Sequence, residues 1–293
     1  MSEPSVLVII VNWNLKDDTI NCIQSVEEMA YPCRIVVVDN GSSDNSVEEI
    51  ALAFPHIKML ALSSNVGFAA ACNQAIQSGL SPRIQYVLLL NNDTIVHPDF
   101  LAELVRVAEA HPRAGILGPK VYDAKKPEHL WHAGARRRRW VLAAVDLGRN
   151  RRDEGQFEEI REVDYIFGCG MFIRREVLER IGLLDPGYFL YLEDMDFCLR
   201  AQAEGYRLLF VPQAKMWHQG SASTAQNPGL RKYHLVRSTL YFLEKHAARV
   251  WFPAAFVFWA LVFFRAITLE FLRGDLKSVR AYSMGLFKGA SQT

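Results

Sequence analysis

The sequence predicts an α/β protein built on a doubly wound, mostly parallel sheet and followed by a helical C-terminal region. Four apolar runs carry the first part of that reading: 6–11, 34–38, 57–62 and 84–90 show little alternation, as strands buried on both faces do. Segments with apolar residues at helical spacing separate them, so strand and helix alternate three times, a pattern that calls for right-handed crossovers and helices on both faces. The last third of the chain is apolar at helical spacing. Composition fits this class: in 293 residues, 50% are hydrophobic and 22% charged, with 33 Lys and Arg against 32 Asp and Glu. Such a chain has material for a large core, and its bulk charge predicts neither disorder nor a nucleic-acid partner. Cys22, Cys33, Cys72, Cys169 and Cys198 are odd in number and scattered, which argues against a disulfide framework or zinc ribbon and for a reducing cytosol. The first residues carry no basic stretch or apolar run long enough for a signal peptide.

The elements follow in order. Helices are expected over 16–29, 44–54 and 67–79; the second opens with Asn45 and Ser46, each three residues ahead of Glu48 or Glu49, a capping-box pattern. Residues 98–110 form a helix with Pro98 at its first position and Asp99 in its first turn, and 114–122 a strand. Between 136 and 152, Arg136, Arg137, Arg138, Arg139, Arg149, Arg151 and Arg152 face Asp146 alone, an excursion that is either a binding feature or a solvated loop. A strand within 163–173, a helix over 175–181 ending at Gly182, a helix over about 193–204 ending at Gly205, and a strand over 206–211 complete the set. Residues 1–225 are expected to form one catalytic-type domain and 226–293 a helical appendage.

Ligands of such sheets bind at the carboxyl ends of the strands, and polar residues gather there: Asn12-Trp13-Asn14, Asp39-Asn40-Gly41-Ser42, and Asn91-Asn92-Asp93-Thr94. Neither a Gly-x-Gly-x-x-Gly nor a P-loop motif occurs. Asp39 can accept from a nucleobase and a ribose hydroxyl, or simply form the turn before Gly41. Asp93 suits a hard cation that shares its remaining positions with phosphates, or caps the following helix. Glu193, Asp194 and Asp196 fall in the first turn of a helix. The dipole explains some acid there, and Asp196 with Arg200 makes a structural i,i+4 pair. Adjacent Glu193 and Asp194 cannot face the same way, so one of them is free to act as a general base. His218 is a structural histidine beside Trp217, or a nitrogen ligand that would turn a Mg²⁺ preference towards Mn²⁺.

The segment 250–272 has fifteen apolar residues before Arg265, short of the roughly 20 that span a bilayer. An in-plane helix fits better, because five cations against Glu244 in 231–249 and four against Asp275 in 273–293 suit anionic headgroups. A buried hairpin or a homodimer contact is the other reading.

Taken in order, VLVIIVNWN, VVVDNGSSDNS, SSNVGFAAACNQAI, LLLNNDT, DYIFGCGMFIRREVLERIGLLDPGYFLYLEDMDFCLR, GYRLLFVPQAKMWHQGSAS and RSTLYFLEKH resemble the family 2 inverting glycosyltransferases, in particular the rhamnosyltransferase-like branch. The resemblance implies a GT-A type, Rossmann-like sheet. It implies that Val11, Trp13, Asp39, Asn65, Gly67, Asn73 and Asn92 hold a nucleotide-sugar donor, with Gly168 and Gly170 letting backbone approach the sugar. Asp93 matches the last acid of the metal-binding Asp-x-Asp motif and His218 a histidine that completes the site, for Mn²⁺ or Mg²⁺; the motif's first acid is here Asn91. Asp194 matches the catalytic base and Glu193 its acceptor-positioning neighbour. The acceptor would be a saccharide or lipid-linked saccharide, met at the inner face of a bacterial plasma membrane, where Arg136 to Arg139 could contact diphosphate or headgroups. A catalytically silent membrane scaffold and a sugar nucleotidyltransferase are the alternatives, the latter lacking its triphosphate loop after strand one.

Overall fold

The computed structural model describes residues 5–138, 140–220, 228–247 and 252–289. Arg139, Arg249, Val250, Trp251 and the expected boundary at 225 lie outside them.

The first half is the parallel part. Strands β1 (Ser5–Asn12), β2 (Cys33–Asp39), β3 (Lys58–Ala61) and β4 (Ile84–Asn91) are linked by α1 (Lys16–Glu27), α2 (Ser46–Ala53) and α3 (Phe68–Gly79). β1 lies between β2 and β4 and pairs with both in parallel, and β3 flanks β2. The absence of alternation has its reason here. Leu7, Ile9, Val36 and Val38 pack beneath α3 on one face, while Val6, Val8, Ile10 and Val37 pack against α1, α2 and α4 (Phe100–Ala110) on the other. Each fully buried aliphatic side chain contributes about 1.5–3 kcal/mol, so both faces of these strands must stay apolar. The expected capping box at α2 does not form. Asn45 has no side-chain bond to a helix amide, and Asp44 Oδ1 accepts from Ser46 N at 3.1 Å instead.

The second half extends the same sheet, in the order β3-β2-β1-β4-β11-β6-β12-β10. β6 (Ala114–Asp123) and β12 (Arg207–His218) run parallel, while β11 (Gly170–Arg174) enters antiparallel between β4 and β6. Short β5 (Thr94–Val96), β7 (Lys126–His132) and β10 (Arg161–Glu162) pair antiparallel at its margin. Helices α5 (Arg175–Ile181) and α6 (Glu193–Ala203) cover the face that α3 covers.

Two expectations need correction. The strand within 163–173 begins only at Gly170, since 163–169 is a loop against α6. The strand at 206–211 continues to His218, because β5 and the end of β6 offer it partners beyond Pro212. The arginine-rich excursion is a hairpin, β8 (Ala135–Arg138) against β9 (Ala143–Asp146). The chain ends in α7 (Pro228–His246), α8 (Phe252–Leu272) and α9 (Leu276–Gly289).

Candidate active site

The ends of β1, β2, β4 and β12 and the start of α6 converge on one cleft of about 450 Å³. Val11, Trp13, Asn65, Gly67, Asn92, Asp93, Gly168, Glu193, Asp194 and His218 all line it. Asp93 and Asp194, about a hundred positions apart in the chain, therefore line the same cleft.

The length of β12 accounts for the first pair. Its terminal residue His218 pairs in register with Thr94 of β5, which seats the imidazole beside the residue preceding Thr94. His218 Nε2 lies 3.1 Å from Asp93 Oδ1 and 3.3 Å from Asn91 Nδ2. Both side chains are buried, and His218 Nδ1 has no hydrogen-bond partner. The Trp131 ring stands edge-on to the imidazole at 4.6 Å and carries the Arg149 guanidinium over its own face at 5.2 Å. Among the described residues no three or more His, Cys, Asp or Glu side chains form a metal-binding group. Asp93 and His218 are thus a two-donor pair that would need a ligand's own oxygens to complete a cation site.

The second pair is aimed by strained backbone. Tyr191 and Leu192 both take positive φ, 70° and 68°, a conformation that costs a non-glycine residue about 1–3 kcal/mol and clusters at functional sites. The turn starts α6 without a side-chain cap, so helix capping does not explain the acids. Asp194 Oδ2 accepts from Gly168 N and Oδ1 from Met195 N, each at 2.8 Å, and Tyr165 donates a third hydrogen bond. Glu193 Oε2 is buried with no partner. Burial raises the Asp194 carboxyl above its ordinary range, and the Gly168 amide, the Tyr165 hydroxyl and the Met195 amide oppose that rise. Burial and then the Asp194 charge push Glu193 well above its ordinary value. Of the two, Asp194 has the donors that favour its charged form and Glu193 the stronger push towards the neutral acid.

Gly168 earns its place through Asp194: a Cβ there would stand 3.4 Å from Oδ2. Gly67, at φ +87°, has its missing Cβ 2.5 Å from the Phe189 carbonyl, which lets Phe68 N donate to that oxygen at 2.8 Å. This contact joins α3 to the loop that precedes α6. Asn65 Oδ1 accepts from Gly67 N at 2.9 Å and Asn40 Nδ2 at 3.1 Å, and Asn92 Nδ2 donates to Thr19 Oγ1 at 2.9 Å.

Three expected donor contacts sit elsewhere. Asn73 clamps the backbone of Leu184, donating to its oxygen at 2.8 Å and accepting from its nitrogen at 3.1 Å; it braces the loop rather than the cleft wall. The crowding at Gly170 comes from Met216 Sδ and Pro119 inside the sheet, so its size serves strand packing. Asp39 is turned towards Asn12 Nδ2 at 2.7 Å and the Ser42 amide at 2.9 Å, the turn-forming arrangement. Sequence reasoning missed Tyr165, Trp131, Phe189 and Trp259, which reach the cleft from loops, from β7 and from α8, and Arg149 of the arginine-rich excursion joins them there.

Residues 7–182 match the family model described as Glycosyl transferase family 2. The chain belongs to that family. This family 2 glycosyltransferase is 26% identical over 246 residues to the N-acetylglucosaminyl-diphospho-decaprenol L-rhamnosyltransferase of Mycobacterium tuberculosis, with 75% of this chain and 77% of the relative covered. It is 23% identical over 250 residues to the dTDP-rhamnosyl transferase RfbF of Shigella flexneri, covering 83% and 81%. Both relatives are named rhamnosyltransferases. Its fold is similar to a mannosyltransferase from Pyrobaculum calidifontis solved with GDP-mannose and Mn²⁺, at TM-score 0.57 and 16% identity over 98% of this chain and 75% of that one. It is also similar to GalNAc-T7 solved with UDP, GalNAc and Mn²⁺, at TM-score 0.60 and 20% identity, covering 73% of this chain but only 43% of that one. The fold is the GT-A glycosyltransferase fold, with a C-terminal apolar helix.

Proposed function

We propose that this chain is an inverting hexosyltransferase that moves a sugar, with rhamnose from dTDP-rhamnose the favoured donor, to a hydroxyl of a saccharide or lipid-linked saccharide in cell-surface polysaccharide synthesis. The observation that carries the reading is the meeting of Asp93–His218 with Glu193–Asp194 across one cleft. The donor class is supported by the names of the two relatives and by the nucleotides held by the two solved neighbours.

In this reading Val11, Trp13 and Asn65 border the nucleoside, and Asp39 keeps the β2 turn in shape beside it. Asp194 takes the proton of the acceptor hydroxyl as that oxygen attacks the anomeric carbon. Attack from the face opposite the departing nucleoside diphosphate inverts the configuration. Glu193, whose Oε2 has no partner within the protein, orients the sugar by a hydrogen bond to a second acceptor oxygen. Asp93 and His218 fit a divalent cation: a carboxylate oxygen and an imidazole nitrogen stand 3.1 Å apart at the cleft, and a mixed oxygen and nitrogen set leans towards Mn²⁺ over Mg²⁺. When bound, such an ion neutralises charge on the leaving diphosphate.

The test is transfer with dTDP-rhamnose and uridine-diphosphate sugars in the presence of Mn²⁺, using a polyprenyl-diphosphate-linked N-acetylglucosamine acceptor and reading the new linkage by NMR. A product of inverted anomeric configuration is expected. Absence of both transfer and donor hydrolysis for every donor overturns the proposal and favours a silent scaffold.

A further inference from the structure

Among the described residues, most of the exposed large apolar side chains lie on the C-terminal helices. α8 is long and apolar enough to cross a bilayer, with mean hydropathy 1.9 over an 18-residue window; at 1.5 Å per residue it measures about 30 Å, the thickness of a hydrocarbon core. Its packing argues against crossing. Ala255, Trp259 and Phe263 are spaced by four, and with Ile267 and Glu270 they form one stripe turned towards the protein. Trp259 Nε1 donates to the Val141 carbonyl of the β8–β9 hairpin at 2.9 Å. Glu270 pairs with Lys232 of α7 at 2.9 Å. A spanning α8 would have to abandon these contacts, or draw a charged pair and the hairpin into hydrocarbon.

Turned away from that stripe, Leu261 is 63% exposed, Phe264 70% and Phe271 62%, and on α9 Phe287 is 79% exposed. Arg265, Arg273, Lys277 and Arg280 are exposed on the same two helices and their junction. Apolar side chains rimmed by cations suit an anionic lipid surface. They suit a second copy less well, because a self-complementary contact would bring the same cations face to face.

We infer that the outer face of α8 and α9 docks the protein onto an anionic bilayer, with α8 lying in the plane of the surface. Trp259 belongs both to the docked helix and to the cleft wall that holds Asp194, and Leu142, Leu230 and Leu235 extend that apolar wall. The docked helix therefore borders the cleft through Trp259, which keeps an acceptor carried on a lipid close to the site. Docking does not depend on the chemistry proposed above.

The test is flotation of the intact protein with vesicles of phosphatidylglycerol and phosphatidylethanolamine, with phosphatidylcholine vesicles for comparison. The protein is expected to float with the anionic vesicles and to be released by carbonate at high pH. The combined variant Leu261→Ser, Phe264→Ser, Phe271→Ser should lose about 100-fold or more in partition coefficient while its thermal melt stays unchanged. The variant Arg265→Gln, Lys277→Gln, Arg280→Gln should lose about 100-fold on anionic vesicles and little on phosphatidylcholine. Protein that stays in the soluble fraction and scatters light as a dimer overturns docking in favour of a second copy, and a serine variant that floats like the parent also overturns it. Retention after carbonate overturns the in-plane orientation. Flotation reads no turnover, so its failure and a failure of sugar transfer are separate results.

Discussion

Asp194 stands at the same point of two opposed influences: burial discourages its charge and prevails, while three donors from Gly168, Tyr165 and Met195 oppose it. Glu193, one residue earlier, receives no such help at Oε2. Two carboxylates with unequal solvation can divide the work of base and proton holder. Replacing Asp194 by Asn keeps the side chain's shape and most of its hydrogen bonds but removes the basic oxygen. Turnover of Asp194→Asn should fall by about 10²–10⁴-fold, with dTDP affinity by calorimetry unchanged; a variant with parental turnover would remove Asp194 from the mechanism. The sequence showed these acids because two adjacent carboxylates opening a helix exceed what capping requires. It could not show Tyr165, whose hydroxyl arrives from a loop with no local pattern of its own. Nor could it show that Asn73 binds the Leu184 backbone and that Gly170 packs against Met216 and Pro119.

At the scale of elements, α6 is held to the C-terminal region through one buried carboxylate. Asp196 accepts from Arg200 at 2.8 Å, as the i,i+4 spacing predicts, and also from Lys245 and His246 of α7, each at 2.7 Å. Burial alone would raise its carboxyl, but the hydrogen bonds from His246, Lys245 and Arg200 outweigh burial and hold it at about 2. A carboxyl lowered on folding stabilises the native state above its unfolded value and ceases to do so as acid protonates it. The Asp196 contribution should therefore be complete above about pH 4 and fade between pH 4 and pH 2. Asp196→Asn should cost about 2–3 kcal/mol at neutral pH, discounted for the partial exposure of its three partners. In urea titrations the difference between variant and parent should shrink across that acid window; a constant difference would contradict the assignment. The Arg200 half of this node was legible as spacing on one helix. The α7 half was not, because nothing local tells Lys245 and His246 which helix they will meet. The same limit explains β12, whose final residues are strand only because β5 and β6 lie ready to pair with them.

Over the whole molecule, the strand runs announced the parallel half because burial on both faces leaves a continuous apolar signal. The antiparallel margin left little trace: β5 and β10 have three and two residues, too few for any period to emerge. Yet the cleft exists only where the halves meet, with Val11 and Trp13 from the first, His218 and Asp194 from the second, and Trp259 from the C-terminal helices. A ligand that bridges them binds the native state alone and must raise its melting temperature. At a dTDP concentration about 100 times its Kd the gain is about 2.7 kcal/mol, worth roughly 5 °C in a chain of this length. Mn²⁺ should enlarge the shift given by dTDP while adding little alone, since Asp93 and His218 supply only two donors and the diphosphate must supply others. Asp93→Asn should keep the metal-free shift and lose the increment, whereas Asp194→Asn should keep both. If dTDP gives the same shift with and without Mn²⁺ in the parent protein, the pair at the end of β12 is structural, and charge on the leaving diphosphate must be met by other groups lining the cleft.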